Sequence, residues 1–89
     1  MLEIHYFAAA RAARGVARET LAPERDLASL LEVLGTRHTG LTAGGMSLSQ
    51  VFERCSFLVD GRSVVRADAA TTSLDAVSRV DVLPPFAGG

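Results

Sequence analysis

The sequence predicts an α+β domain in which a mixed sheet of about five strands packs on one main helix. Three observations carry that prediction. Leu2, Ile4 and Tyr6 alternate with Glu3, His5 and Phe7, the period of a strand with one buried face. Leu27, Leu30, Leu31 and Leu34 fall at i, i+3, i+4, i+7, one stripe of a helix. Asp60-Gly61 sits between Phe57-Leu58-Val59 and Ser63-Val64-Val65, the pattern of a tight hairpin.

The elements follow in order. Leu2 to Phe7 is the first strand. Ala8 to Arg14 (AAARAAR) is rich in helix formers, so a helix competes there. The segment has no apolar stripe, which favours a loop or a single turn ending at Gly15. Val16 to Leu21 reads as the return strand of a hairpin, ended by Pro23. Asp26 is placed to cap the leucine helix, and Gly35 to close it in the left-handed conformation. Residues 39–46 (TGLTAGGM) form a flexible loop. Ser47 and Gln50 have capping-box spacing for a short helix over 48–54. After the hairpin, residues 66–79 make a long connection, with room for a short strand or turn at 71–75. Val80 to Leu83 is the last strand. Because a helix separates the two halves, the first and last strands can pair in parallel.

Composition bounds the function. The chain has 89 residues, enough for one domain, with 48% hydrophobic and 21% charged residues, the balance of a folded chain. Nine basic residues, all Arg, stand against ten acidic ones for a net charge of −1. Such a chain lacks the broad positive field of a nucleic-acid binder. No apolar run approaches the roughly 20 residues of a membrane span. The single Cys55 excludes an internal disulfide and a cysteine-based zinc cluster. No basic segment followed by an apolar stretch opens the sequence, so a cytoplasmic protein is expected.

The last residues hold the most specific pattern. Leu83-Pro84-Pro85 leaves the last strand as a stiff, directed stalk, because proline fixes φ and holds its predecessor extended. Phe86, Ala87, Gly88 and Gly89 extend past it by at most about 13 Å. Gly88 and Gly89 carry no Cβ and fit a channel too narrow for other residues. The stalk lowers the ordering cost of insertion into a partner. The expectation is a domain over residues 1–83 and a flexible tail over residues 84–89. That tail delivers the free α-carboxylate of Gly89 into another protein. The plain alternative is an incidental Gly-Gly and a proline pair that only ends a strand.

Two segments resemble a known family. They are Ile4-His5-Tyr6-Phe7-Ala8 with Arg11 and Gly15, and Val80-Asp81-Val82-Leu83-Pro84-Pro85-Phe86-Ala87-Gly88-Gly89. They are similar to the ubiquitin-like sulfur carriers, most closely to the small subunit of molybdopterin synthase. The sequence departs from that pattern in three places. Val77-Ser78 stand where Gly-Asp is common, Phe86 where Val is frequent, and the 66–74 connection is long. The resemblance implies the β-grasp fold and a sulfur relay. A ubiquitin-activating-type adenylyltransferase would use ATP to adenylate the Gly89 carboxylate. A sulfur donor protein would convert it to a thiocarboxylate. The large subunit of molybdopterin synthase would then take the tail and transfer sulfur to the pterin. No cofactor is bound by the carrier, and the catalytic residues are expected on its partners. Carriers for thiamine, cysteine or tRNA thiolation, a ubiquitin-type protein modifier, and a plain interaction domain remain alternatives.

Strand parity adds a prediction of its own. If Ile4, Tyr6, Val80 and Val82 face the helix, Phe7 and Leu83 face away and form an exposed apolar patch beside the tail, extended by Phe86. Arg11 in the adjoining segment is suited to a partner carboxylate. The alternatives are a Phe7 tucked at the core rim and a merely solvated Arg11, Arg14 and Arg18. His5 and His38 lack a third ligand and read as ordinary histidines rather than a metal site. Cys55 reads as a small buried hydrophobe. Gly40, Gly44 and Gly45 lack phosphate-loop spacing and the accompanying Lys.

Overall fold

The computed structural model describes residues 1–84. The chain runs β1 (Leu2–Tyr6), α1 (Ala8–Arg14), β2 (Arg18–Leu21), α2 (Leu27–Arg37), α3 (Leu48–Phe52), β3 (Ser56–Val59), β4 (Arg62–Val65), a 3-10 helix (Arg66–Thr71) and β5 (Arg79–Leu83). The strands form one five-stranded sheet in the order β2-β1-β5-β3-β4. β1 and β5 pair in parallel at its centre, and every other pair is antiparallel. This is the two-layer α+β arrangement that the sequence predicts.

One face of the sheet is covered by helices. Leu2, Ile4 and Tyr6 of β1 and Val80 and Val82 of β5 are buried there, as are Phe57 and Val59 of β3 and Val64 of β4. Against them lie Leu27, Leu30, Leu31 and Leu34 of α2 and Leu48, Val51 and Phe52 of α3. Burying a Leu side chain contributes roughly 1.5–3 kcal/mol, so the α2 stripe is a large share of a small core. The Phe52 and Phe57 rings join the two layers in a tilted pair with centroids 6.2 Å apart.

Local signals explain most boundaries. Asp26 caps α2 by accepting from the Ser29 backbone N–H at 2.8 Å. Ser47 and Gln50 form the reciprocal capping box of α3. Asp60 and Gly61, both with positive φ (47° and 85°), turn the β3–β4 hairpin.

Two expectations are corrected. Ala8–Arg14 is a helix, not a loop or single turn. Its inward face is made of alanines, Ala10 buried and Ala13 half-buried, so no stripe of large residues announces it. Gly15 ends it at φ 89°, its N–H bonded to the Arg11 carbonyl at 2.8 Å. The second correction concerns Gly35, which does not close α2. The helix continues to Arg37 and is capped at His38. A Cβ at position 35 would lie 3.1 Å from Ser49 Cβ, so this glycine serves the close approach of α2 and α3. In the long connection, residues 71–75 contribute only one bridge, Ser73 to Asp26.

Candidate functional site

Among the described residues, no helix covers the second face of the sheet. Phe7 follows β1 in extended conformation (φ −125°, ψ 150°), so the alternation of β1 continues through it. Its N–H donates to the Val82 carbonyl at 3.2 Å. Since Tyr6 pairs with Val82, Phe7 stands level with Leu83. Leu83 pairs with Ser56, and Ser56 with Val65. Phe7, Leu83, Ser56 and Val65 therefore make one row across β1, β5, β3 and β4. Phe7 is 40% and Val65 53% exposed, with Leu83 half-buried between them. The half-buried Leu58 adds apolar surface in the row beside it, opposite Asp81.

The sequence had pointed to Phe7 and Leu83 but not to Val65 and Leu58. A signal was available. In a hairpin pinned by Asp60-Gly61, burial of Phe57 and Val64 puts Leu58 and Val65 on the opposite face. Pro84, half-buried, continues directly from Leu83, so the chain leaves the sheet from within this row, between Phe7 and Ser56. Pro85, Phe86, Ala87, Gly88 and Gly89 lie outside the described residues.

Polar groups hold this end of the sheet in place. The Glu19 carboxylate of β2 accepts from Tyr6 Oη at 2.6 Å, Arg14 Nε at 2.6 Å and Arg14 Nη2 at 3.0 Å. One carboxylate thus ties β1, α1 and β2 together. Burial alone would raise the Glu19 pKa. The hydrogen bonds from Arg14 and Tyr6 outweigh it and hold the carboxyl below its usual range. Burial, helped by the Glu19 contact, pushes the Tyr6 phenol far above its ordinary value. Arg11, on the same short helix, is exposed and forms no ion pair among the described residues. Ala8, between Phe7 and Arg11, takes φ 51°, a left-handed turn that swings the chain from strand into helix.

Among the described residues, the two histidines and the cysteine stand in separate settings. His5 Nε2 meets Glu3 Oε1 at 2.6 Å. His38 caps α2, its pKa lowered by desolvation and then by Arg14. Cys55 is buried, and desolvation pushes its thiol up to about 11. Among the described residues no group of three His, Cys, Asp or Glu is placed to hold a metal ion. No helix among them is long and apolar enough to cross a membrane.

The described residues present an exposed apolar row, with the chain leaving the sheet at Leu83 within it. Residues 4–89 match the ThiS family, a match that includes both motif segments and runs through the terminal glycines. No curated protein matches the chain. The chain belongs to the ThiS family of ubiquitin-like sulfur carriers, and its five-stranded mixed sheet with covering helices is that family's β-grasp fold.

Proposed function

We propose that the chain is the sulfur-donating small subunit of molybdopterin synthase, with Gly89 as the residue that carries the sulfur. The chemistry needs an activated acyl group. A Gly89 carboxylate oxygen attacks the α-phosphorus of ATP, and pyrophosphate leaves. The resulting acyl adenylate has a good leaving group in place of oxide. A sulfur donor of persulfide type attacks the acyl carbon and AMP departs. A C–S bond forms, and a second thiol then attacks the donor's sulfur in the acyl disulfide, so that its S–S bond breaks, the thiocarboxylate leaves and the two thiol sulfurs end as a disulfide. The tail then enters the large synthase subunit, where the sulfur attacks the pterin precursor and hydrolysis restores the carboxylate. Two carriers in turn supply the two dithiolene sulfurs. In this scheme the carrier contributes no acid, base or metal. Its residues do three things: Phe7, Leu83 and Arg11 engage the partner, Pro84 and Pro85 aim the tail, and Phe86 to Gly89 reach the reacting centre.

The observation that carries the reading is the row Phe7–Leu83 at the root of the tail. It sets the family's two motif segments side by side at the point where the chain leaves the sheet. Exposed aromatic and aliphatic clusters of this kind mark interfaces. A second reading, a carrier for thiamine, cysteine or tRNA thiolation, is favoured by the breadth of the family, whose members do not share one pathway.

Intact mass spectrometry of the chain isolated from its own cells tests the carrier chemistry. The expected result is a population with one oxygen replaced by sulfur at the terminal residue. The pathway is tested by incubating that species with a pterin-synthase large subunit and, in parallel, with a thiazole synthase. Sulfur loss with the first alone supports the proposal. Loss with the second alone moves the chain to the thiamine pathway.

A further inference from the structure

The helical layer holds a cavity that shares no residue with the Phe7–Leu83 row. It measures about 240 Å³ and is lined by Ala28, Leu31, Glu32, Ser49, Phe52 and Arg66. Three elements build it: α2, α3 and the first residue of the 3-10 helix. Leu31 and Phe52 are buried and Ala28 is half-buried, so the floor is apolar. Exposed Glu32 and Ser49 stand at the mouth. The close approach of α2 and α3 at Gly35 fixes the position of Ser49 in this wall.

Arg66 is in a state that no other arginine shares. Its Nε is shut off from solvent and donates to no acceptor, and among the described residues it is the one buried side-chain nitrogen or oxygen so placed. Buried donors are nearly always satisfied. The exposed Arg11, Arg18, Arg37, Arg54 and Arg62 have water for their donors; half-buried Arg66 does not have it at Nε. Glu53 reaches Nη2 alone, at 3.5 Å, from a side chain that is 65% exposed. The Arg66 fork therefore has room for a carboxylate taken side-on through Nε and an Nη. Glu32 is the second charge on the cavity. No ion pair joins it to Arg66, and it pairs with no other cation among the described residues.

A donor fork and a carboxylate thus face one apolar space without meeting. The ligand that satisfies both is a zwitterion with an apolar body. A cavity of roughly 150 Å³ holds benzene, so 240 Å³ takes about nine non-hydrogen atoms, the size of leucine. We propose that this cavity is a binding site for a free α-amino acid with a short apolar side chain. The ligand carboxylate accepts from Arg66 Nε and an Nη, its ammonium donates to Glu32, and its side chain lies on Leu31 and Phe52. The proposal stands apart from the sulfur-carrier reading, because none of these residues takes part in that chemistry.

The test is an amide chemical-shift titration of the full chain with three probes. L-Leucine carries both charges, isocaproate lacks the ammonium, and isopentylamine lacks the carboxylate. The expected result is saturable shifts with leucine at Ala28, Leu31, Glu32, Ser49, Phe52 and Arg66. Each analogue binds roughly tenfold more weakly or worse, since a charge-assisted hydrogen bond is lost. Glu32→Gln weakens leucine by about the same factor and leaves isocaproate unchanged. Arg66→Lys keeps the charge without the fork and weakens leucine and isocaproate alike. Thermal melting of each variant separates folding from binding. If Arg66→Lys fails to fold, the analogues and Glu32→Gln, at an exposed position, decide. Isocaproate binding as tightly as leucine, or full leucine affinity in Glu32→Gln, overturns the amino-acid assignment. Absence of saturable shifts with leucine overturns the site; that is the outcome if Glu53 closes onto Nε in solution.

Discussion

Glu19→Ala is the sharpest test of what holds the tail-root end of the domain together. The substitution removes the acceptor of three hydrogen bonds, from Tyr6 Oη and from Arg14 Nε and Nη2. Tyr6 is only 2% exposed, so its phenol is left without a partner and out of reach of water. An unsatisfied buried hydroxyl costs about 1–3 kcal/mol. Arg14 loses its counter-charge. Breaking a fully buried pair costs about 3–5 kcal/mol. Here the Arg14 and Glu19 side chains keep 20% and 16% exposure, and water takes over part of that loss. The combined cost comes to about 2–4 kcal/mol. That is a large fraction of the stability of a domain this size, and it lowers Tm by roughly 10–25 °C. Urea titration followed by far-UV circular dichroism reads it as a lower midpoint at unchanged slope. A cycle with Tyr6→Phe isolates the phenol contribution.

The same contact has a pH signature. Glu19 titrates below its unfolded value, so its contribution is complete above the ordinary carboxylate pKa of about 4.3 and is lost as pH falls through the depressed folded value. Wild type therefore loses more stability on acidification than Glu19→Gln does. A Glu19→Ala cost under about 1 kcal/mol, or equal acid sensitivity of wild type and Glu19→Gln, would refute the reasoning.

Three further outcomes are expected. Cys55 in the folded chain resists iodoacetamide near neutral pH and becomes reactive as pH approaches about 11, whereas the urea-unfolded chain reacts at ordinary thiol pH; a folded rate equal to the unfolded one contradicts its burial. Ala8→Gly raises stability by about 0.5–1 kcal/mol, because Ala8 sits at φ 51° where an L side chain is strained; a right-handed helical residue there would instead lose about as much. On the proposed reading, Val65→Asp on the exposed row lowers affinity for the synthase large subunit at least tenfold and shifts stability by no more than about 0.5 kcal/mol. Calorimetric titration and thermal melting on one preparation separate those two effects.

Legibility in the sequence followed residue size. Every element built on large side chains could be read directly. The alternation Leu2-Ile4-Tyr6 gave β1, the four leucines gave α2, and Asp60-Gly61 gave the β3–β4 turn. Caps with a hydrogen-bonding side chain, Asp26 and Ser47, were equally plain. What escaped was built on small residues. The buried face of α1 is Ala10 and Ala13, a stripe with too little apolar mass to register. Gly35 was ambiguous because glycine serves both a left-handed cap and a close helix contact, and only the position of Ser49 distinguishes them. At the candidate site, Phe7 and Leu83 followed from parity. Val65 follows only from the register of β4 against β3, a local hairpin pairing that Asp60-Gly61 fixes. The Tyr6–Arg14–Glu19 contact needed both the α1 helix and the β1–β2 register, neither of which the local pattern supplies.

The core and the open apolar row are not independent designs. β1 and β5 are parallel neighbours, so their C-terminal ends lie at the same edge, and the sequence's two motif segments meet there. Side chains alternate along both strands. The register that buries Tyr6 and Val82 is therefore the register that exposes Phe7 and leaves Leu83 half-buried on the other face. A slip of one residue in β5 would send Leu83 into the core and Val82 to the surface, damaging stability and the presented face at once. A change that disturbs the core register thus also disturbs the face beside Pro84. The same coupling suits so small a chain to the work of a carrier. It needs only a sheet whose packing fixes where the chain departs and what surface surrounds that point. The partner enzymes supply the reactive chemistry, and the five residues beyond Pro84 span at most about 18 Å when extended. On the proposed reading, that short reach makes the placement of Pro84 by β5 the geometric constraint on which active centres Gly89 can enter.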